Sequence, residues 1–239
     1  PAGRTTYEYA LELRRLKHKF QRELMKHATV SKRSITIGAS LTTLQSTLPD
    51  LISNYSQSDP ETDIKAVTGK THEIVELVRQ RQVDVGLVAS AVSDPSFHSA
   101  ALFDDHLCLV VPRNHPLSLK STLRIEELGG MPMILFSKGT WYRILTDELF
   151  ERYGIRPEIK MEIDSFEAIL RLLPVGPSAT LLPKSYLRES LLEDNELQRI
   201  DIDELKKTVR TTTLIYPDEK EMSPAAQRFV MQAKMFYSR

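Results

Sequence analysis

The 239-residue chain has a single cysteine, Cys108, so no disulfide can close within it. Cys108 lies in the apolar run "HLCLVV", His106 to Val111, and reads as a buried, inert thiol. No apolar run approaches the ~18 residues of a membrane span. The amino-terminal residues also lack the apolar stretch of a secretion signal, so a cytoplasmic protein with no membrane partner is expected. An excess of one charge is missing too: 32 basic residues against 32 acidic ones give no overall attraction for a polyanion. The common catalytic signatures are absent, among them the Gly-x-Ser-x-Gly elbow, the Gly-x-x-x-x-Gly-Lys-Ser/Thr phosphate loop, Gly-x-Gly-x-x-Gly and His-Glu-x-x-His. Six histidines (His18, His27, His72, His98, His106 and His115) show no metal-ligand spacing, and His106 with Cys108 on one strand face makes a poor zinc site. Asp104 and Asp105 read as solvated turn residues. These absences point to a protein that binds rather than transforms: no enzyme, no metal, no cofactor.

The balanced charge hides an asymmetry. Residues 1–33 carry nine basic residues, Arg4, Arg14, Arg15, Lys17, Lys19, Arg22, Lys26, Lys32 and Arg33, against three acidic ones, so the rest of the chain is net acidic. From Thr5 to about Ala28 there is no Gly or Pro, and Tyr9, Leu13, Leu16 and Phe20 recur at spacings of four, three and four. That spacing predicts an amphipathic helix whose apolar seam pairs with another helix. A solvated helix lying on the main domain is the simpler alternative, and the basic faces suit unspecific phosphate contact less well than the seam suits pairing.

After "ATVSKR" short strands alternate with helices: "SITIGAS", a helix to about Tyr55, "DIKAVTG", the helix "THEIVELVRQR", then "VDVGLVAS", with further strands near Ala100 to Phe103 and at "LCLVVP". This alternation predicts a doubly wound parallel sheet. The prolines of "PRNHPL" look like a boundary. A second series follows: "MPMILF", a helix from Trp141 to Tyr153, "EIKMEI", "SFEAILRLL", "ATLLP", a short helix from Tyr186 to Leu191, "LQRIDI", "TTTLIYP" and a helix from Pro224 to Tyr237.

Four strand ends carry a glycine and hydroxyls next to a helix start or a strand start. "GAS" leads to Ser40, Thr42 and Thr43; "VTGKT" adds Lys70 and Thr71; "FSKGT" holds Ser137, Lys138 and Gly139; "PVGPSA" holds Gly176 and Ser178. At the carboxyl edge of an open sheet, helix N–H groups welcome an anion. Each motif alone reads as an ordinary helix cap; four together point to a small-molecule cleft between two subdomains.

"ITIGAS", the Leu48-Pro49 pair, "TGKTHEIVELVRQRQVDVGLV" with Val83, Asp84, Val85 and Gly86, and the triplet His115, Pro116, Leu117 in "VVPRNHPL" resemble, in order and spacing, the effector-binding region of LysR-type transcriptional regulators. "PAG" at Pro1 to Gly3 resembles the end of that family's wing, and Thr5 to Lys26 its linker helix. The resemblance implies a periplasmic-binding-protein-like α/β fold, two Rossmann-like subdomains joined by two crossover strands and preceded by a long N-terminal helix. Residues 1–33 would be wing end and dimerisation helix, 34–112 with 212–239 subdomain I, and 113–211 subdomain II. It implies a homodimer assembling into tetramers and a DNA-reading winged helix-turn-helix upstream of Pro1. It places the effector on Ser40, Leu41, Thr42, Lys70, Thr71, Ser137, Lys138 and Gly139. Where the family has a Gly-x-Gly pair this chain has "VGPSATLLP", which keeps only Gly176 beside Ser178 and adds Pro177. The helix N-termini, Lys70 and Lys138 make an anionic effector the expectation. A solute-binding protein of a transport system shares this architecture and is the alternative; an enzyme on the same fold ranks third.

Overall fold

The computed structural model describes residues 2–27, 33–120, 123–138 and 140–238. Pro1 and Gly139, both assigned roles above, lie outside them, as do the side chains of several basic residues in the first helix.

That helix, α1 (Ala2–His27), begins before the expected start at Thr5, so Ala2 and Gly3, compared above with the end of a wing, are helical. Its seam is laid bare: Tyr9, Leu13, Leu16 and Phe20 are 60% to 68% exposed.

The chain then forms two compact units, residues 1–103 with 211–239 and residues 104–210. In unit 1, β1 (Ser34–Ser40) pairs in parallel with β2 (Asp63–Gly69) and β3 (Val85–Val88). Two α-helices, α2 (Leu41–Ser46) and α3 (Leu48–Ser58), follow β1, and α4 (Thr71–Arg79) follows β2. β4 (His98–Asp105) closes one side, and β10 (Arg210–Tyr216), running antiparallel to β3, lies between them in the order β2-β1-β3-β10-β4.

Alternation along the strands sends Ile35, Ile37, Val85, Leu87 and Leu214 to the face covered by α2, α3 and α8 (Pro224–Tyr237), where Tyr55 meets Phe229 edge-on at 5.4 Å. The opposite face receives Ile74 and Val78 of α4 with Val83, Val88 and Ile215. Glycine is needed on that face. A Cβ on Gly86 would stand 2.7 Å from Ile215 Cγ1 and 2.8 Å from Val78 Cγ2, so only a bare backbone lets α4 pack this close.

In unit 2, β5 (Leu107–Pro112) is buried at every residue and sits between β8 (Thr180–Pro183) and β9 (Leu197–Ile200), antiparallel to both. β6 (Pro132–Leu135) and β7 (Glu158–Glu162) form a parallel pair, and a bridge between Met133 and Ala179 ties β6 to the approach to β8. Three α-helices lie among its described residues: α5 (Trp141–Arg152), α6 (Phe166–Leu172) and α7 (Glu189–Asp194). α5 stops where Gly154, at φ 63°, turns the chain left-handed while Ile155 N–H reaches back to Phe150 and Gly154 N–H to Glu151.

This places the boundary before β5 and not at "PRNHPL". Pro112 merely ends a strand whose hydrogen-bond partners, β8 and β9, both belong to unit 2. Asp105 also departs from the solvated turn expected of it. It is 7% exposed and accepts hydrogen bonds from Ser185 Oγ (2.5 Å), Ser185 N (3.2 Å) and His106 N (2.9 Å), which anchors the turn after β8.

Candidate functional site

The carboxyl edge of unit 1 is set by strand register. Ser40 and Gly69 are cross-strand partners at the ends of β1 and β2, so α2 and α4 begin side by side. Ser40 (φ −63°, ψ 153°) and Lys70 (φ −71°, ψ 157°) both hold the extended backbone of a residue preceding a helix.

Thr43 organises this edge. Its Oγ1 lies 2.7 Å from the Leu87 carbonyl at the end of β3, 3.1 Å from the Ser40 carbonyl and 2.9 Å from Ser40 Oγ. One proton serves these contacts, and the shortest, to Leu87, takes it; Ser40 then donates to Thr43, which leaves Ser40 Oγ as an acceptor. Thr43, Ser46 and Thr47 are all buried, and Ser46 Oγ bonds back to the Thr42 carbonyl at 3.0 Å. The lack of charge in this helix therefore follows from its burial. Thr42 is 8% exposed and Leu41 40%, while Lys70 is exposed and Thr71 half-buried. The two helix starts differ electrically. Glu73 accepts the Lys70 N–H at 2.6 Å, whereas the first turn of α2 has no carboxylate.

In unit 2, Ser137 follows the end of β6. Its N–H donates to Asp164 Oδ1 at 2.9 Å, and its carbonyl accepts from Thr140 Oγ1 at 2.8 Å. Thr140 in turn caps α5 through the Arg143 N–H. Arg143, 3% exposed, staples the loop: its guanidinium donates to the Phe136 carbonyl (3.0 Å), Glu162 (2.5 Å) and Asp147 (2.8 Å). Burial alone would lower its pKa, but Glu162 and Asp147 raise it above the ordinary value. An aromatic group backs the loop, with Phe136 stacked on Tyr142 at 5.4 Å and Phe166 edge-on to both. Ser137 is half-buried and Lys138 exposed.

Gly176 and Ser178 are not brought to this edge. Ala179 bonds both ways with Pro132 and Ile134 at the beginning of β6, so Ser178 stands roughly 16 Å back along the strand direction from Ser137. Gly176 is extended (φ −157°) with open space where a Cβ would sit, so nothing in its conformation calls for glycine. The loop answers instead to His115, whose Nδ1 accepts from Leu117 N at 3.2 Å while the ring also bonds to the Pro177 carbonyl. Burial lowers the pKa of His115, against that carbonyl, and keeps the ring neutral.

Cys108 is 1% exposed, and burial pushes its thiol up to about 12. Among the described residues no group of three or more His, Cys, Asp or Glu side chains is placed to hold a metal ion, and no helix is long and apolar enough to cross a membrane. Sequence reasoning missed Asp164 and Arg143, and it offered the Thr43 hydroxyl for a cap or a ligand where the structure turns it onto the Leu87 carbonyl, because these residues hold the edge through contacts distant in the chain.

A two-unit α/β protein with ligand-ready strand ends is the class these features define. Residues 28–236 match the family described as the LysR substrate binding domain, and the chain belongs to that family. It is 26% identical over 192 residues to the HTH-type transcriptional regulator CysL of Bacillus subtilis, covering 80% of this chain and 64% of the relative, so it spans under two thirds of that protein. The effector binding domain of QuiR in complex with shikimate superimposes with a TM-score of 0.69 at 24% identity, covering 87% of this chain and 98% of that one. The regulatory domain of Synechocystis PCC6803 CcmR, in complex with 2-PG, gives a TM-score of 0.72 at 21% identity, covering 86% and 98%. The fold is that of LysR effector-binding domains, and the relatives are transcriptional regulators, not the solute-binding proteins of transport systems.

Proposed function

We propose that this chain is the sensing and oligomerising region of a longer cytoplasmic LysR-type regulator, which reads DNA through a winged helix-turn-helix lying outside these residues and does not turn its ligand over. The ligand is a small hydroxylated acid held at the carboxyl edges: Ser40, Leu41, Thr42, Lys70 and Thr71 on unit 1, and Ser137, Lys138 and Gly139 on unit 2. The observation that carries this reading is the pairing of Ser40 with Gly69, which sets two helix starts together, one of them with no carboxylate in its first turn. The shikimate bound by QuiR has the chemistry that such an edge suits, one acid group among hydroxyls.

The exposed seam of Tyr9, Leu13, Leu16 and Phe20 supports pairing of α1 with the same helix of a second copy, giving a homodimer from which a tetramer assembles. An effector then shifts DNA binding only by the difference in its affinity for the protein's alternative conformations.

The test is a thermal-shift screen of hydroxy acids and phosphorylated acids on the wild type and on Thr42→Trp. A ligand at 100 times its Kd stabilises the wild type by about 2.7 kcal/mol, and Thr42→Trp removes that gain. Equal stabilisation of both proteins by a hit takes the unit 1 edge out of the site. In the same preparations, Leu13→Asp with Leu16→Asp yields a smaller particle by light scattering if α1 pairs; an unchanged mass refutes the pairing.

A further inference from the structure

Arg210, the first residue of β10, is 7% exposed, and its Nη1 is buried with no hydrogen-bond partner among the described residues. The Tyr142 ring lies against the guanidinium, 4.4 Å from its carbon to the ring centre. That contact offsets part of the charge but offers no lone pair to the N–H groups. Arg143 shows the contrast. It is buried as deeply, yet three oxygens meet its guanidinium. A buried cation short of an acceptor is a costly arrangement that a ligand with a lone pair relieves.

Beside Arg210 is a cavity of about 10 Å³, bordered also by Asp105, Tyr142, Pro183 and Thr208. It holds one water-sized atom. Asp105 borders the cavity but does not serve as the missing acceptor, since Nη1 has no hydrogen-bond partner among the described residues while this carboxylate takes the amide and hydroxyl of Ser185 and the His106 amide. Thr208 Oγ1 is likewise engaged, accepting from Leu107 N at 3.0 Å and donating to the Leu205 carbonyl at 2.6 Å. The cavity lies at the same edge as Ser137. Pro183 ends β8, and Tyr142, in the first turn of α5, stacks on Phe136, the neighbour of Ser137. Lys138, the cation of this edge that is visible in the sequence, is exposed.

We propose that Arg210 is the acid-recognising residue of the unit 2 edge, its Nη1–H donating to one carboxylate oxygen of the effector seated in this cavity, where a water stands when no ligand is bound. This rests on the reading of the edge as part of the effector site and names the chemical group it selects. A neutral amide of the same shape offers no charge to a guanidinium already stripped of water, so the site distinguishes an acid from its amide.

The probes are bromide, as a heavy anion, and formate against formamide, which share size and differ in charge. In crystals of the whole chain soaked in bromide, an anomalous peak is expected within hydrogen-bond reach of Arg210 Nη1. In solution at constant ionic strength, formate is expected to raise the melting temperature more than formamide. Arg210→Gln weakens the apparent affinity for formate about tenfold, as loss of one charge-assisted hydrogen bond requires, while circular dichroism reports the fold and Arg210→Lys retains part of the effect. A water in place of bromide, or a formate preference that survives in Arg210→Gln, overturns the proposal. A metabolite screen without hits combined with bromide on Nη1 would defeat the effector reading and leave the anion site standing; a genuine effector bound while Nη1 faces only water would do the reverse.

Discussion

Asp84 and Thr36 exchange two hydrogen bonds: the Thr36 N–H donates to Asp84 Oδ2 at 2.7 Å, and the Asp84 N–H donates to the Thr36 carbonyl at 2.8 Å. The pair joins the start of β3 to β1 before the regular ladder begins at Ile37 and Val85. It gives a structural reason for an aspartate in "VDVG", one of the stretches that carry the family resemblance.

Removing that carboxylate leaves the Thr36 amide without its acceptor. Asp84→Ala is expected to lower unfolding free energy by about 1.5–3 kcal/mol, the range for hydrogen bonds to charged groups, and Asp84→Asn by less because an amide oxygen still accepts. Urea denaturation of the two variants tests this; equal losses would show that the aspartate acts through its charge alone.

Two glycines should respond in opposite ways. Gly86→Ala pushes a methyl into Ile215 and Val78 and costs about 1–3 kcal/mol through overpacking. Gly176→Ala meets open space at an extended backbone and is neutral or stabilising by up to about 1 kcal/mol. Melting temperatures of the two variants give the comparison directly.

Acid stability has an identifiable contributor in Asp94. The hydroxyl and amide of Ser96, then the Arg79 guanidinium, hold its carboxyl down from 3.8 to about 2. A depressed carboxylate contributes stability that is present above the unfolded value and lost as pH falls through the folded one. The expected window is therefore pH 3.8 to 2, over which the wild type loses stability and Asp94→Asn lacks this part of the loss. Carboxyl carbon shifts followed by NMR locate the midpoint, and a midpoint near 3.8 would contradict the assignment.

The Cys108 thiol, held at about 12 by burial, should resist thiol reagents in the native protein at pH 8 and react once urea unfolds unit 2. Counting thiols with and without denaturant measures this, and prompt labelling of folded protein would refute it.

Much of the architecture could be read from local pattern. The apolar alternation of "SITIGAS", the run from Pro224 to Tyr237 and the seam on α1 are each written in a few neighbouring residues. What escaped depends on partners far along the chain. β5 is apolar throughout and fits either unit until its hydrogen bonds to β8 and β9 place it in the second. Ser178 has the glycine-and-hydroxyl look of Ser137, but strand direction, which composition does not record, puts it at the other end. Thr43 and Thr42 are alike as letters; only helix rotation turns Thr43 onto the Leu87 carbonyl. No local motif marks Arg210; its burial comes from Tyr142, 68 residues away in the chain, lying against the guanidinium.

β10 enters the middle of the first sheet, between β3 and β4, although over a hundred residues of unit 2 separate it from either in the chain. On the ribosome, the contiguous second unit can therefore finish folding while the first still waits with an open seam. Loss of the segment from Thr211 onward would take out an interior strand of unit 1 and leave β3 with an unpaired edge, whereas unit 2 would keep every strand of its own sheets.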